Sequence, residues 1–140
     1  MILQTTAELS NLEVIRRFVE ERAHALQLDQ RTTFDLVQAV DECVTNIIEH
    51  GYRHQAGSIE IEIKHTNTTL TIELRDQAPL FDPTGVPPPD LAGPLEARQP
   101  GGLGIYLTRR MVDDMQYRVL PGGGNELILI KHVTTTTSTS

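Results

Sequence analysis

Two hydrophobic periods divide the chain. Over residues 10–28, Leu12, Ile15, Val19, Ala23 and Leu26 recur every three or four positions, which predicts an amphipathic helix with Ser10 as its N-cap. Residues 32–51 repeat the pattern with Val37, Val40, Val44, Ile47 and Ile48, and Gly51 suits the C-terminal cap. The period then falls to two. In "SIEIEIKH", Ile59, Ile61 and Ile63 share one face and Glu60, Glu62 and Lys64 the other. "TLTIELRD" continues with Leu70, Ile72 and Leu74, and the polar "TNT" between the two segments predicts a hairpin turn. Periodicity disappears over residues 79–100, which hold seven of the eight prolines, so a long connection is expected there. A helix over 102–115 follows. "QYRVL", the turn "PGGGN" and "ELILIKH" then predict a second hairpin.

The order is therefore α, α, β, β, loop, α, β, β. Hairpins with helices set apart define an α+β protein: a two-layer α/β sandwich whose sheet is antiparallel or mixed, mainly antiparallel, with helices on one face. At 140 residues the chain suits a single domain, expected over 1–133. The low-complexity tail 134–140, "TTTTSTS", offers nothing to pack and is expected to be disordered.

Charge and composition narrow the function classes. Twelve Lys and Arg stand against 19 Asp and Glu, a formal net charge of −7, which disfavours direct nucleic-acid binding. Cys43 is the sole cysteine, so no internal disulfide forms; it reads as a small buried side chain in a reducing compartment. No apolar run reaches about 18 residues and the first ten residues do not resemble a signal peptide, so no membrane association and a cytoplasmic location are expected.

Three segments carry candidate chemistry. In "QPGGLGIYLTRR" (99–110), glycines precede a helix whose free N–H groups and dipole favour an anion; a plain hinge is the alternative. Neither a P-loop nor a Rossmann turn fits, because no G-x-x-x-x-G-K-[ST] exists and no strand precedes the glycines. Glu42 and Asn46, four apart, stack on the helix face opposite the Val/Ile stripe. That suits solvated surface, but also an Asn oxygen on Mg²⁺ with a carboxylate one turn away to take a proton. Asp76, at the predicted end of a strand, suits a turn, and equally an acceptor for an exocyclic amine.

Taken together, "DECVTNIIEHGY", "DQAPLFDP" and "GGLGIYLTRRMVDD" in this order resemble the Bergerat-fold ATPases, and among them the anti-sigma-factor serine kinases of the RsbW type. The resemblance covers about residues 10 to 132. It implies ATP and Mg²⁺ as cofactors, with Asn46 on the metal, Glu42 activating the accepting hydroxyl, and Asp76 reading adenine. Gly101, Gly102, Leu103 and Gly104 would wrap the phosphates. His50 and Arg53 would reach phosphate or lid, and Arg98 would sense the terminal phosphate. Where the family usually carries Gly two residues after that Asp, this chain has Ala78. Glu49, where histidine kinases usually carry Lys, separates it from them. The implied activity is a serine/threonine protein kinase that sequesters a sigma factor or similar client and phosphorylates a STAS-domain anti-anti-sigma protein. A homodimer is also implied, and Arg16 and Arg17 are the expected partner-facing residues. The alternative is a non-catalytic binding module of the same fold.

Overall fold

The computed structural model describes residues 1–87 and 102–134. Strand β1 (Ile2–Thr6) leads through a single 3₁₀ turn into α1 (Leu12–Ala25) and α2 (Gln30–Asn46). A π-helical turn, Ile47–Gly51, extends α2. The hairpin β2 (Ser58–Thr66) and β3 (Thr69–Asp76) follows, then a 3₁₀ turn at Pro83–Gly85. Helix α3 (Gly102–Met111) and the hairpin β4 (Asp114–Val119) and β5 (Asn125–His132) complete the fold. The strands form one five-stranded sheet in the order β1-β2-β3-β5-β4, and every pairing is antiparallel.

The period-two pattern decides which face of the sheet meets the helices. Ile59, Ile61, Ile63, Leu70, Ile72, Leu74, Leu127 and Leu129 all point to one side. There they form a single core with Ile15 and Val19 of α1 and Leu36, Val40 and Val44 of α2. Each such aliphatic side chain contributes about 1.5–3 kcal/mol by leaving water. The opposite face is charged. Register sets Arg75 between Glu60 and Glu126, with Glu62 and Glu73 facing each other alongside. Its guanidinium bridges all four carboxylates, at 2.5 Å to Glu60, 2.7 Å to Glu62, 3.1 Å to Glu73 and 2.7 Å to Glu126. Glu126 is fully buried and pairs with Arg118 as well. Burial opposes its charge, but the two arginines hold its carboxyl below the ordinary range.

The structure corrects the sequence expectations in five places. The chain opens with a strand: β1 pairs along β2, although "ILQTT" has no apolar alternation and Ile2 stays exposed. Ser10 is not the N-cap of α1. It lies inside the 3₁₀ turn, and Asn11 occupies the cap with no side-chain bond to the helix, its amide donating to Thr6 instead. Helix α2 starts earlier, because the Asp29 carboxylate accepts the Thr32 N–H at 2.7 Å. It does not end at a Gly51 cap: Gly51 closes the π turn, and Arg53 and His54 reverse the chain with positive φ. Helix α3 ends at Met111, four residues short of the expected 115. The stretch "DDMQ" pairs with β5 instead, turning Met115 into the core opposite Leu129. Much of the 79–100 connection, Arg98 and Gly101 lie outside the described residues, as do residues 135–140 of the tail. No helix among the described residues is long and apolar enough to cross a membrane.

Candidate functional site

A cavity of about 760 Å³ opens where the ends of α2, β3 and β5 meet the start of α3. Its floor is apolar, from Ile47, Ile105, Met115 and Leu127, and its polar groups come from three directions. Such a volume with few convergent polar groups suits a nucleotide-sized ligand.

The first polar group is Asp76, the last residue of β3. It is 6 % exposed. Its Oδ1 accepts the Ala78 N–H and the Asn125 side-chain amide, each at 2.9 Å, which leaves Oδ2 as its remaining acceptor. Burial pushes the carboxyl above its ordinary value, while those two donors pull the other way. Asn125 is the hub of this corner. Its amide also reaches the carbonyls of Ala78 (3.1 Å) and Pro79 (3.3 Å), and its oxygen accepts from the Phe81 N–H and the Tyr117 hydroxyl. The close approach needs Gly124. With φ +102, any Cβ there would lie 2.7 Å from the Asp76 carbonyl oxygen.

The second group lies on α2. Glu42 and Asn46 both line the cavity, because α3 packs across the face of α2 that carries them. The Asn46 Oδ1 is buried and accepts no hydrogen bond. A buried acceptor without a donor is costly, so an orphan on a residue that lines a cavity points to a ligand cation or donor. Glu42 lies against the first turn of α3, where a Cβ on Gly104 would come within 2.8 Å of its Oε2. Desolvation raises its carboxyl pKa, and the neighbouring Asp41 adds to the rise. Thr108, fully buried, donates to the Gly104 carbonyl at 2.9 Å and touches the Cys43 sulfur. Burial pushes the Cys43 thiol up to about 12, so it is no nucleophile here.

The third group is the π turn and the segment after it. His50, Gly51 and Arg53 line the cavity from this side. A π turn directly after a polar helix end is a frequent companion of functional sites.

The structure thus brings Glu42, Asn46, His50, Arg53, Asp76, Ala78 and Gly104 to one cavity. Gly102 opens α3, and Leu103 is exposed beside it without lining the cavity. Arg16 and Arg17 lie elsewhere on α1, paired with Asp41 and Glu13. Asn125, Tyr52, Tyr117 and Thr108 were missed. Asn125 carried a signal: it begins the inward-facing series 125, 127, 129, but it reads as part of the "PGGGN" turn.

A strand-end Asp, a helical Asn and a glycine-led helix thus surround one cavity of a two-layer sandwich. The chain belongs to the histidine kinase-like ATPase domain family, whose model matches residues 5–131. It is 32 % identical over 104 residues to the serine/threonine-protein kinase BtrW of Bordetella bronchiseptica, covering 73 % of this chain and 72 % of that one. It is 30 % identical over 103 residues to the serine-protein kinase RsbW of Bacillus cereus, covering 71 % of this chain and 63 % of the relative's length. In structure it is similar to the RsbU and RsbW domains of Rv1364c from Mycobacterium tuberculosis (TM-score 0.61, 16 % identity), over 95 % of this chain and 32 % of the other.

Proposed function

We propose that the protein is an ATP-dependent serine/threonine protein kinase of a partner-switching system. It binds a sigma factor or comparable client and phosphorylates a STAS-domain anti-anti-sigma protein. The observation that carries this is Asn46, which lines the cavity one helical turn from Glu42 and whose Oδ1 is buried without a hydrogen-bond partner. Among the described residues no cluster of three His, Cys, Asp or Glu could hold a metal by itself. An amide oxygen is a hard donor of the kind Mg²⁺ takes, and substrate phosphates and waters would complete the ion's shell. Bound there, the ion would neutralise charge on the transferring phosphoryl group.

The chain's own groups do the rest. Asp76 accepts a hydrogen bond from the exocyclic amine of the base through Oδ2. The free N–H groups of the first turn of α3 face the phosphates, with His50 and Arg53 supplying positive charge or donors opposite. Glu42 takes the proton of the attacking hydroxyl, and its raised pKa brings it closer to working pH. The added phosphate, about −1.5 to −2 in charge, breaks the partner interface and frees the kinase for its client. The test is Mg²⁺-ATP calorimetry on the parent and on Asn46→Ala, with phosphotransfer to a candidate STAS protein. Glu42→Ala is expected to keep ATP affinity and to lose transfer by about 100-fold or more. No ATP binding by the parent would refute the kinase. Binding without transfer to any STAS candidate would favour a non-catalytic module.

A further inference from the structure

Strand pairing between β2 and β3 stops at the Ile59–Asp76 pair. The next pair in register would be Ser58 with Gln77. Gly57 and Ile63 make their backbone bonds with the β1 side, at 2.9 Å from the Ala7 N–H and 3.0 Å to the Met1 carbonyl. By alternation, the Ser58 carbonyl faces β3, where a direct bond from the Gln77 N–H would continue the ladder. A phenol oxygen sits there instead. The Tyr52 hydroxyl donates to the Ser58 carbonyl at 2.7 Å and accepts the Gln77 N–H at 2.7 Å.

The chain is arranged to deliver that oxygen. The Tyr52 N–H closes the π turn on the Ile47 carbonyl at 2.7 Å. Arg53 and His54 then reverse direction with positive φ. Tyr52 is 8 % exposed, and its ring occupies the space any side chain at position 57 would need; residue 57 is glycine. Gln77 stands between Asp76 and Ala78, inside the turn in which the Ala78 N–H binds Asp76 Oδ1.

We infer that Tyr52 is a positioning residue for base reading: its hydroxyl wedges the β2–β3 ladder open by one step and so holds the Asp76–Pro79 turn in the orientation that aims Asp76 into the cavity. The wedge hangs from the turn that follows Asn46, so it also ties the cation-facing end of α2 to the base-facing end of β3. Without the oxygen, Gln77 either loses its partner or closes directly onto Ser58, and both move the turn. This inference rests on the proposed nucleotide site.

The test is Tyr52→Phe, which keeps the ring over Gly57 and deletes only the oxygen. Ile63→Val, a core truncation that does not line the cavity, serves as the stability control. Calorimetry with Mg²⁺-ATP and Mg²⁺-GTP reads affinity and base preference, thermal melts read folding, and the Gln77 amide resonance reads the ladder. The expected result is a loss of ATP affinity of about tenfold, a narrowed ATP-over-GTP preference and a shifted Gln77 amide. The Ile63→Val control is expected to keep both affinity and preference. Unchanged ATP affinity and preference in Tyr52→Phe would overturn the inference and leave the nucleotide site standing. So would a fall in ATP and GTP affinity by equal factors that the control reproduces at similar melting temperature. A parent that binds no nucleotide overturns the site and the inference together.

Discussion

Replacing Gly51 by alanine tests how this chain accommodates the methyl group of Ala78. An ideal Cβ on Gly51 would lie 3.2 Å from the Ala78 Cβ and 3.9 Å from the Ile47 Cγ2. Carbon atoms pack best at about 3.5–4.0 Å, so the first contact is short by about half an ångström. Ala78 cannot retreat easily. Its N–H is bonded to Asp76, and its carbonyl to Asn125. Overpacking of this kind costs about 1–3 kcal/mol, and removing a flexible glycine returns about 0.5–1 kcal/mol. The net loss is about 1 kcal/mol, or about 4 °C in melting temperature for a domain of this size. The assay is a double-mutant cycle by chemical denaturation. Ala78→Gly alone is expected to destabilise by about 1 kcal/mol through loss of a buried methyl. In its presence Gly51→Ala should become neutral or favourable, a coupling of about 1 kcal/mol. Additivity within about 0.3 kcal/mol would refute the contact. Because the methyl packs toward Gly51, Ala78→Gly should also change the Kd for ATP by less than about threefold.

Two further predictions separate stability from function. Asp76→Asn keeps an oxygen for the Ala78 N–H and the Asn125 amide but removes a desolvated charge. The native carboxyl sits above its ordinary value of 3.8, so the native state holds its proton longer than the unfolded chain does. Ionisation therefore costs stability as pH rises through that window, and the cost is complete above it. Melting at pH 7.5 should show the variant more stable than the parent, the gap closing below about pH 3.8, while ATP binding falls by about 100-fold or more; an unchanged gap across pH would refute the assignment. Gly104→Ala should be stability-neutral or stabilising by up to about 1 kcal/mol, since alanine favours the helix and only the tip of Glu42 must move. Phosphotransfer should nevertheless fall by about 100-fold while ATP affinity holds, and transfer within twofold of the parent would remove Glu42 from the role of base.

Much of the fold could be read from local pattern. Strict alternation in "SIEIEIKH" and "TLTIELRD" leaves one register and one buried face, because a slip of one residue would bury Glu60, Glu62 and Lys64. β1 was not legible. It is an edge strand held by backbone bonds to β2, and such pairing leaves no mark on side-chain polarity. The early end of α3 was also hidden, since Met111, Val112 and Met115 keep the helical spacing of three and four, and only β5 draws the segment into a strand.

For the site, the chain by itself determined the chemical types and their order: an acid and an amide one helical turn apart, an acid at a strand end, glycines before a helix. Local spacing is enough for that, because Glu42 and Asn46 share a face in any helix. What that face meets was settled by packing between distant elements. The packing of α3 over α2 turned it from solvated surface into the wall of a cavity and left the Asn46 oxygen without a donor. It also decided the parts played by Asn125 and Tyr52. Their partners lie across strand ends, at Asp76 forty-nine residues away and at Gln77 twenty-five residues away. Hydrogen bonds at such separations depend on sheet order and register, which no window of sequence contains.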